Sequence, residues 1–535
     1  MKHYFELVEN RIASSWNETI LSDLGSESFT GKDIAENIAA LHRLFTQLDI
    51  KQGSSIALCG KSASRWGIAL LAINTYGQVA VPILSGFRPE DIASLTAHSE
   101  SQILFADKSI WDKVKPFAET MNLKAAVSLD DFDRLDVRDK RLEVRDESPA
   151  MPHFAAPKGD TLMVINYTSG TTSAPKGVML TYDNFSTNLD YALAHVPTYK
   201  GDHIVSMLPL AHMFGCMFEF LYPFCGNVEI CFLGAAPTPS RLLGAMKRVK
   251  PYIFITVPLV MEKMFKSAIL PVVNRPAMKV MLRIPGISHI ILSAIRRRFL
   301  AAFGGKVRHL IMGGAALNPD TERWLRRLRL PYTIGYGMTE AAPLLAYEDH
   351  RKFVPGSCGK AADRCEVRID SADPEHVAGE IQARGMNIMV GYYKNEEATR
   401  AAFTEDGWLR TGDLGTIDAQ GNIFIRGRLK NMLLSSNGQN IYPEEIEAIV
   451  TANIDCEECV VVQRGSRLVA LVYRGDAALQ QGAGNLEGAG SREQGAELAL
   501  VNSLLPSYSK LSSIEEVAVP FEKTPKMSIK RFMYK

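Results

Sequence analysis

The run INYTSGTTSAPKGVML, residues 165–180, concentrates the residue types that hold a phosphate. An apolar stretch (MVINY, 163–167) leads into Thr168, Ser169, Gly170, Thr171, Thr172 and Ser173, and Pro175-Lys176-Gly177 follow. Glycines let backbone N–H groups close around an anion, short hydroxyl side chains add donors, and Lys176 supplies a point charge. The order is not that of a Walker loop, which sets Lys directly after the second Gly of G-x-x-x-x-G-K-[ST]; here Gly177 follows Lys176. On composition alone the simpler reading is a Ser/Thr-rich surface turn.

Other reactive types are scattered. PLAHMFG (209–215) sets His212 among apolar neighbours, where a histidine is more often a hydrogen-bonded core residue than a reactant. Cys456 and Cys459 make a single CxxC with no second pair at zinc-like spacing, so the eight cysteines read as reduced thiols of a cytosolic chain. Glu340 beside Thr339 fits a helix N-terminal charge, and Asp413 and Arg428, each taken singly, fit solvated loops. Tyr336 between two glycines can stack on a flat ring or simply pack.

The elements that must position these residues follow from apolar periodicity. SSIALC (54–59) and VAVPIL (79–84) are short continuous apolar runs, and Arg65 to Tyr76 between them has helical spacing. Strand–helix–strand order with strands apolar on both sides predicts a parallel sheet covered on both faces. Similar units recur at 101–106, 161–168, 203–208, 252–257 and 307–312. Residues 1–427 therefore read as a large α/β body with two related sheet subdomains. From Asp418 the texture changes: AQGN (419–422) is a turn between short strands, a helix begins near Pro443, and 459–475 holds two strand-like runs. Residues 476–496, rich in Gly, Ala, Gln and Glu, read as an exposed loop.

The length of 535 residues suggests roughly two to four domains. With 46% hydrophobic and 22% charged residues the chain has a globular profile. Lys+Arg (60) and Asp+Glu (59) nearly cancel, which argues against nucleic acid as a partner. The charged N-terminus lacks the apolar core of a signal peptide. The most apolar stretch, Gly215 to Gly234, is broken by Glu219, Asn227 and Glu229 and reads as buried core.

YTSGTTSAPKG resembles the phosphate-binding signature of the adenylate-forming superfamily, which includes acyl-CoA synthetases, luciferases and peptide-synthetase adenylation domains; the family usually has Gly where this chain has Ser173. The resemblance continues in order through GGAAL (313–317), GYGMTE (335–340), GYYKNEEAT (391–399), DGWLRTGDLGTID (406–418) and IRGRLKNMLLSSNGQNIYPEEIE (425–447). It implies a large N-terminal body with two α/β sheet subdomains and a β-subdomain, plus a small mobile α+β domain at 428–535. Activity would be ATP-dependent activation of a carboxylic acid to acyl-AMP, followed by transfer to coenzyme A. Mg²⁺ would be held by Thr168 and Glu340. The phosphates would lie on Thr168, Ser169, Gly170, Thr171, Thr172 and Lys176. Adenine would lie against Gly314, Ala315 and Tyr336, with Gly337, Met338 and Thr339 alongside. Asp413 would accept the ribose hydroxyls, and Arg428 would add a donor to ribose or phosphate. His212 would sit beside the acyl carboxylate. Lys430 falls at the hinge position, and Gly438 belongs to the loop that would meet the thiol.

One departure bears on chemistry. Family members usually end with a lysine that contacts the acid and the α-phosphate, and here that position is Ser528. Lys526 and Lys530 flank it, each displaced by ~6.6 Å along an extended strand, and either is a candidate replacement; a weakly catalytic nucleotide- and acyl-binding protein is the alternative. The motif spacing is most similar to bacterial long-chain fatty acid–CoA ligases, with a carrier-protein acceptor or an aryl acid as the other options. Residues 262–308 carry ten Lys/Arg against the single acid Glu262. That pattern suits either a solvated basic face or peripheral contact with the inner face of the membrane.

Overall fold

The computed structural model describes residues 3–137, 152, 154–155, 157–168, 175–234, 237–434, 440–465, 467–475, 489–523 and 529–534. Two predominantly parallel sheets form the body. The first has eight strands in the order Gly391–Tyr392, Lys176–Thr181, Leu162–Thr168, Val79–Pro82, Ser55–Cys59, Ile103–Ala106, Ala125–Ser128 and Arg134–Val137. The second has seven, in the order Tyr332–Ile334, His309–Met312, Ile253–Thr256, His203–Ser206, Glu229–Phe232, Thr19–Asp23 and Ser28–Thr30. The central strands of both run parallel; in the first sheet Lys176–Thr181 pairs antiparallel with both its neighbours, and the remaining antiparallel pairs lie at the outer strands.

The helix predicted at 65–76 spans Ser64–Thr75, and every residue except Arg65 is buried. It is wedged between the two sheets. Gly67 lets its backbone reach the Phe220 ring, which a Cβ would meet at 2.5 Å. A helix apolar on all sides is what a position between two sheets requires. One contiguous apolar cluster runs from Tyr4 to Ile423 through both sheets. The chain then forms antiparallel structure: Tyr336–Gly337, Leu344–Tyr347 and Lys360–Ala361 in one sheet, and Cys365–Asp370, Gly379–Gly385, Leu409–Ile417 and Ile423–Arg428 in another.

Beyond Asn440 the apolar side chains form clusters of their own, around the helix Pro443–Asn453 and the sheet Glu458–Arg464, Arg467–Tyr473 and Leu511–Glu516. The structure corrects one expectation. Part of the stretch read as a loop, from Ala489 onward, belongs to a helix that runs to Leu504. Ala, Glu, Gln and Leu are strong helix formers, and Val501 and Leu505 anchor the helix in the core. All eight cysteines, Cys456 and Cys459 included, are buried thiols.

Candidate nucleotide site

The strands His203–Ser206, Ile253–Thr256, His309–Met312 and Tyr332–Ile334 are neighbours and parallel. Their C-terminal ends therefore share one edge, which is where open α/β sheets bind ligands. PLAHMFG, GGAAL and GYGMTE all leave from that edge. A Cβ on Gly313 would lie 3.0 Å from the Phe214 ring, so the first two segments touch. The Gly335 N–H donates to Met312 O at 2.8 Å, which joins the third. Gly314 has φ of 85°, a left-handed conformation that costs other residues roughly 1–2 kcal/mol. Gly314 and Ala315 are exposed, offering bare backbone to a flat ring. A Cβ on Gly337 would stand 1.9 Å from Pro343 O, so no side chain fits there. The Met338 N–H donates to the same carbonyl at 2.8 Å, and Thr339 is buried in the short 3-10 turn Thr339–Ala341.

The phosphate-loop residues approach from the first sheet. Thr168 and Lys176 face each other at the mouth of an antiparallel hairpin, and the Thr168 hydroxyl donates to Lys176 O at 3.4 Å. Ser169, Gly170, Thr171 and Thr172 lie outside the described residues. Lys176 Nζ stands 4.9 Å from the centre of the Tyr392 ring, and the Tyr392 hydroxyl donates to Glu340 Oε1 at 3.0 Å. Lys176 and Glu340 thus meet across one aromatic side chain. Burial and the Glu340 charge raise the Tyr392 pKa, keeping its hydroxyl a donor. The turn bearing Glu340 is fastened from behind: Asn188 Nδ2 donates to Ala341 O at 3.0 Å and Ala342 O at 2.9 Å, and Met389 N–H donates to Glu340 O at 2.8 Å.

Asp413 forms the third corner. It is 4% exposed, accepts the Tyr336 hydroxyl on Oδ2 at 2.8 Å, and pairs with Arg428 Nε through Oδ1 at 2.7 Å. Its N–H donates to Thr411 Oγ1 at 3.1 Å. Burial pushes its carboxyl up and the Arg428 guanidinium pulls it down. Asp413 and Arg428 are cross-strand partners, so the sheet sets their approach. Tyr336, expected to stack on adenine, is 6% exposed, with its hydroxyl tied to Asp413.

His212 is half-buried at the start of the short helix Met213–Gly215. The preceding turn is pinned to the hairpin strand, because Asn166 Nδ2 donates to Ala211 O at 2.8 Å. Behind it, Glu219 accepts the Met207 N–H at 2.8 Å, the Leu208 N–H at 2.7 Å and the Ser206 hydroxyl at 3.1 Å. Complete burial pushes the Glu219 carboxyl up to about 8. Sequence reading noted Glu219 only as a break in an apolar run, and gave no role to Tyr392, Asn188 or Thr411. A polar residue inside an apolar run was the one signal available, and only for Glu219.

Lys430 lies in the 3-10 turn Leu429–Asn431, directly after Arg428. Gly438, Lys526 and Ser528 fall outside the described residues. Lys530 pairs with Glu522 at 2.5 Å rather than joining the strand-end cluster.

Comparison with known proteins agrees with this geometry. The sequence profile described as AMP-binding enzyme matches residues 8–393. The peroxisomal long chain acyl-CoA synthetase 6 of Arabidopsis thaliana is 27% identical over 458 residues, covering 79% of this chain and 65% of that protein. Long-chain-fatty-acid–CoA ligase 4 of Saccharomyces cerevisiae is 33% identical over 325 residues, covering 56% of this chain and 46% of that one. The chain thus spans less than two thirds of either relative. Among solved structures, an anthranilate CoA ligase with bound anthranoyl-AMP superposes with a TM-score of 0.79 at 18% identity, covering 99% of this chain and 96% of that one. ATP-bound MatB from Rhodopseudomonas palustris gives 0.78 at 20% identity, with 99% and 98% covered. These two establish a shared fold. With the profile covering most of the chain, the protein belongs to the AMP-binding enzyme family.

Proposed function

We propose that this protein is a fatty acid–CoA ligase, joining a long- or medium-chain carboxylic acid to coenzyme A through an acyl-adenylate. The observation that carries the reading is the meeting of Lys176 with Glu340 through Tyr392, beside the buried Asp413–Arg428 pair. In the first step a carboxylate oxygen attacks the α-phosphorus of ATP and pyrophosphate leaves. Both reactants are anions, so fixed positive groups must offset their repulsion. Lys176 and the Thr168 end of the hairpin would face the phosphates. Thr168 and Glu340 offer hard oxygen donors of the kind Mg²⁺ takes, and Glu340 is half-buried with one oxygen steadied by Tyr392. When bound, the ion would neutralise phosphate charge. Asp413 would orient the ribose by exchanging its Tyr336 or Arg428 partner for a sugar hydroxyl. His212, fixed beside the hairpin strand by Ala211, would face the acid.

In the second step the thiol of coenzyme A attacks the acyl carbon and AMP leaves. Residues 1–427 form the body in this reading, and 428–535 a small domain that turns about a hinge near Lys430. Separate apolar clusters in the two parts support that division. Lys526 or Lys530 would take the place of the usual lysine at Ser528, with Lys530 first leaving Glu522. The long-chain acyl-CoA ligases among the similar proteins support an acyl chain as the substrate.

Pyrophosphate release across a panel of acids, with and without coenzyme A, tests the proposal. CoA-dependent thioester formation on fatty acids is the expected result. Tight ATP binding with no pyrophosphate from any acid would overturn it. Adenylation without use of the thiol would point to a carrier-protein acceptor.

A further inference from the structure

His309, Asp349 and His350 bring one ligand atom each to within 4.8 Å of one another. His309 opens the strand His309–Met312 and is 6% exposed. Asp349 and His350 follow the strand Leu344–Tyr347. The two imidazole rings meet edge to face, with centroids 5.3 Å apart. His350 Nδ1 and Asp349 Oδ2 are 3.7 Å apart, and both are buried atoms with no hydrogen-bond partner among the described residues. Two buried polar atoms left unpaired side by side cost stability unless something joins them.

From this geometry we propose a binding site for a divalent transition metal ion of the zinc type, held by His309, Asp349 and His350. Two imidazoles and a carboxylate are a recurrent zinc donor set, and a tetrahedral ion would draw the ligand atoms to ~3.3 Å of one another. The cluster must therefore contract by about 1.5 Å at most, within the reach of small side-chain rotations. The backbones that carry the ligands are already fixed. His309 is in register with Ile253 inside the parallel sheet. Thr333 on the neighbouring strand donates its hydroxyl to Glu348 O at 2.7 Å. Arg351 donates from both its backbone N–H (3.0 Å) and Nε (2.7 Å) to Asp349 Oδ1, leaving Oδ2 to the ion.

The cluster shares no residue with the Thr168 and Glu340 pair proposed for Mg²⁺ and lies at the opposite end of its strand from the nucleotide-side turn. His309 begins the strand whose far end leads into Gly313 and Gly314, three strand steps or ~10 Å away. The ion would act as a staple, tying the start of that strand to the connection that leaves Glu340.

The test uses the full chain, stripped with a chelator and titrated with zinc chloride and, separately, cobalt chloride. One equivalent of zinc should bind and raise Tm. Affinity should fall at least about tenfold in His350→Gln and in Asp349→Asn. These two side chains are only partly buried, so the variants keep the fold more readily than a change at the buried His309; far-ultraviolet circular dichroism checks this. Cobalt should give the visible absorption of a four-coordinate ion without a thiolate charge-transfer band. No binding by the wild type, unchanged affinity in both variants, or a thiolate band abolished by Cys456→Ser would each overturn the proposal.

Discussion

Tyr392 holds the phosphate hairpin to the turn bearing Glu340 with one side chain, its ring under Lys176 and its hydroxyl on Glu340. Phenylalanine at 392 would keep the ring and remove the donor. A hydrogen bond to a charged group contributes about 1.5–3 kcal/mol, so Tyr392→Phe should lower kcat/KM for pyrophosphate release by roughly 10–100-fold. Asp413→Ala should raise KM for ATP, because it removes the acceptor that both Tyr336 and Arg428 hold in place. Glu219 gives a pH signature instead. Its carboxyl sits at about 8 in the folded chain against a usual 4.5. The folded state therefore keeps a proton that the unfolded chain has lost between those values. The contribution is full below 4.5 and is lost as pH rises toward 8. Glu219→Gln, permanently neutral, should show a flatter Tm against pH than wild type over that window, and parallel curves would refute the assignment. Motif order singled out Thr168, Lys176, Glu340 and Asp413 in the sequence, and the structure brings Lys176 and Glu340 to one tyrosine. The partnerships of Tyr392 and Asn188 were not, because they join residues far apart in the chain that share no periodicity.

At the scale of elements, apolar runs announced the strands well. Seven expected runs fall on strands of the two sheets, and the helix between the first two lies within one residue of its predicted span. Buried parallel strands carry an unbroken apolar pattern, which makes them visible. The helix ending at Leu504 was hidden because glycines and polar residues dilute its first turns, and its anchors come late. Less visible still is what fixes the Glu340 turn. The helix Tyr182–His195 opens on a capping box between Thr181 and Asn184. Asn184 Nδ2 also donates to Met386 O at 2.8 Å and Ile388 O at 3.0 Å, one turn before Asn188 reaches Ala341 and Ala342. One helix face thus clamps both sides of the turn. Asn188→Ala would strand two carbonyls beside a buried position, at a cost of about 1–3 kcal/mol. The urea midpoint should fall accordingly, and activity should fall with it. A stability loss that spared kcat would show that the clamp does not position Glu340.

Over the whole molecule, the basic character of 262–308 gains a partner feature that the sequence could not supply. All ten Lys/Arg of that stretch are exposed. Among them Val280 is 61% exposed, Ile284 and Ile287 are each 42%, and Ile290 is 70%. They lie on and between the helices Pro276–Met281 and Ile287–Ala302. Apolar side chains held outward among cations have little to gain from water alone, whereas an anionic bilayer rewards both features. Among the described residues no helix is long and apolar enough to cross a membrane, so the contact predicted from this patch is a peripheral one. It would suit the proposed fatty-acid substrate, which dissolves in lipid. The chain should sediment with vesicles of phosphatidylglycerol and phosphatidylcholine, with binding that weakens as salt screens the charges. Val280→Glu combined with Ile290→Glu should release it while leaving pyrophosphate release on a short, water-soluble acid unchanged. If wild type stays in the supernatant at moderate salt, or the double variant sediments equally well, the patch is only a solvated basic face.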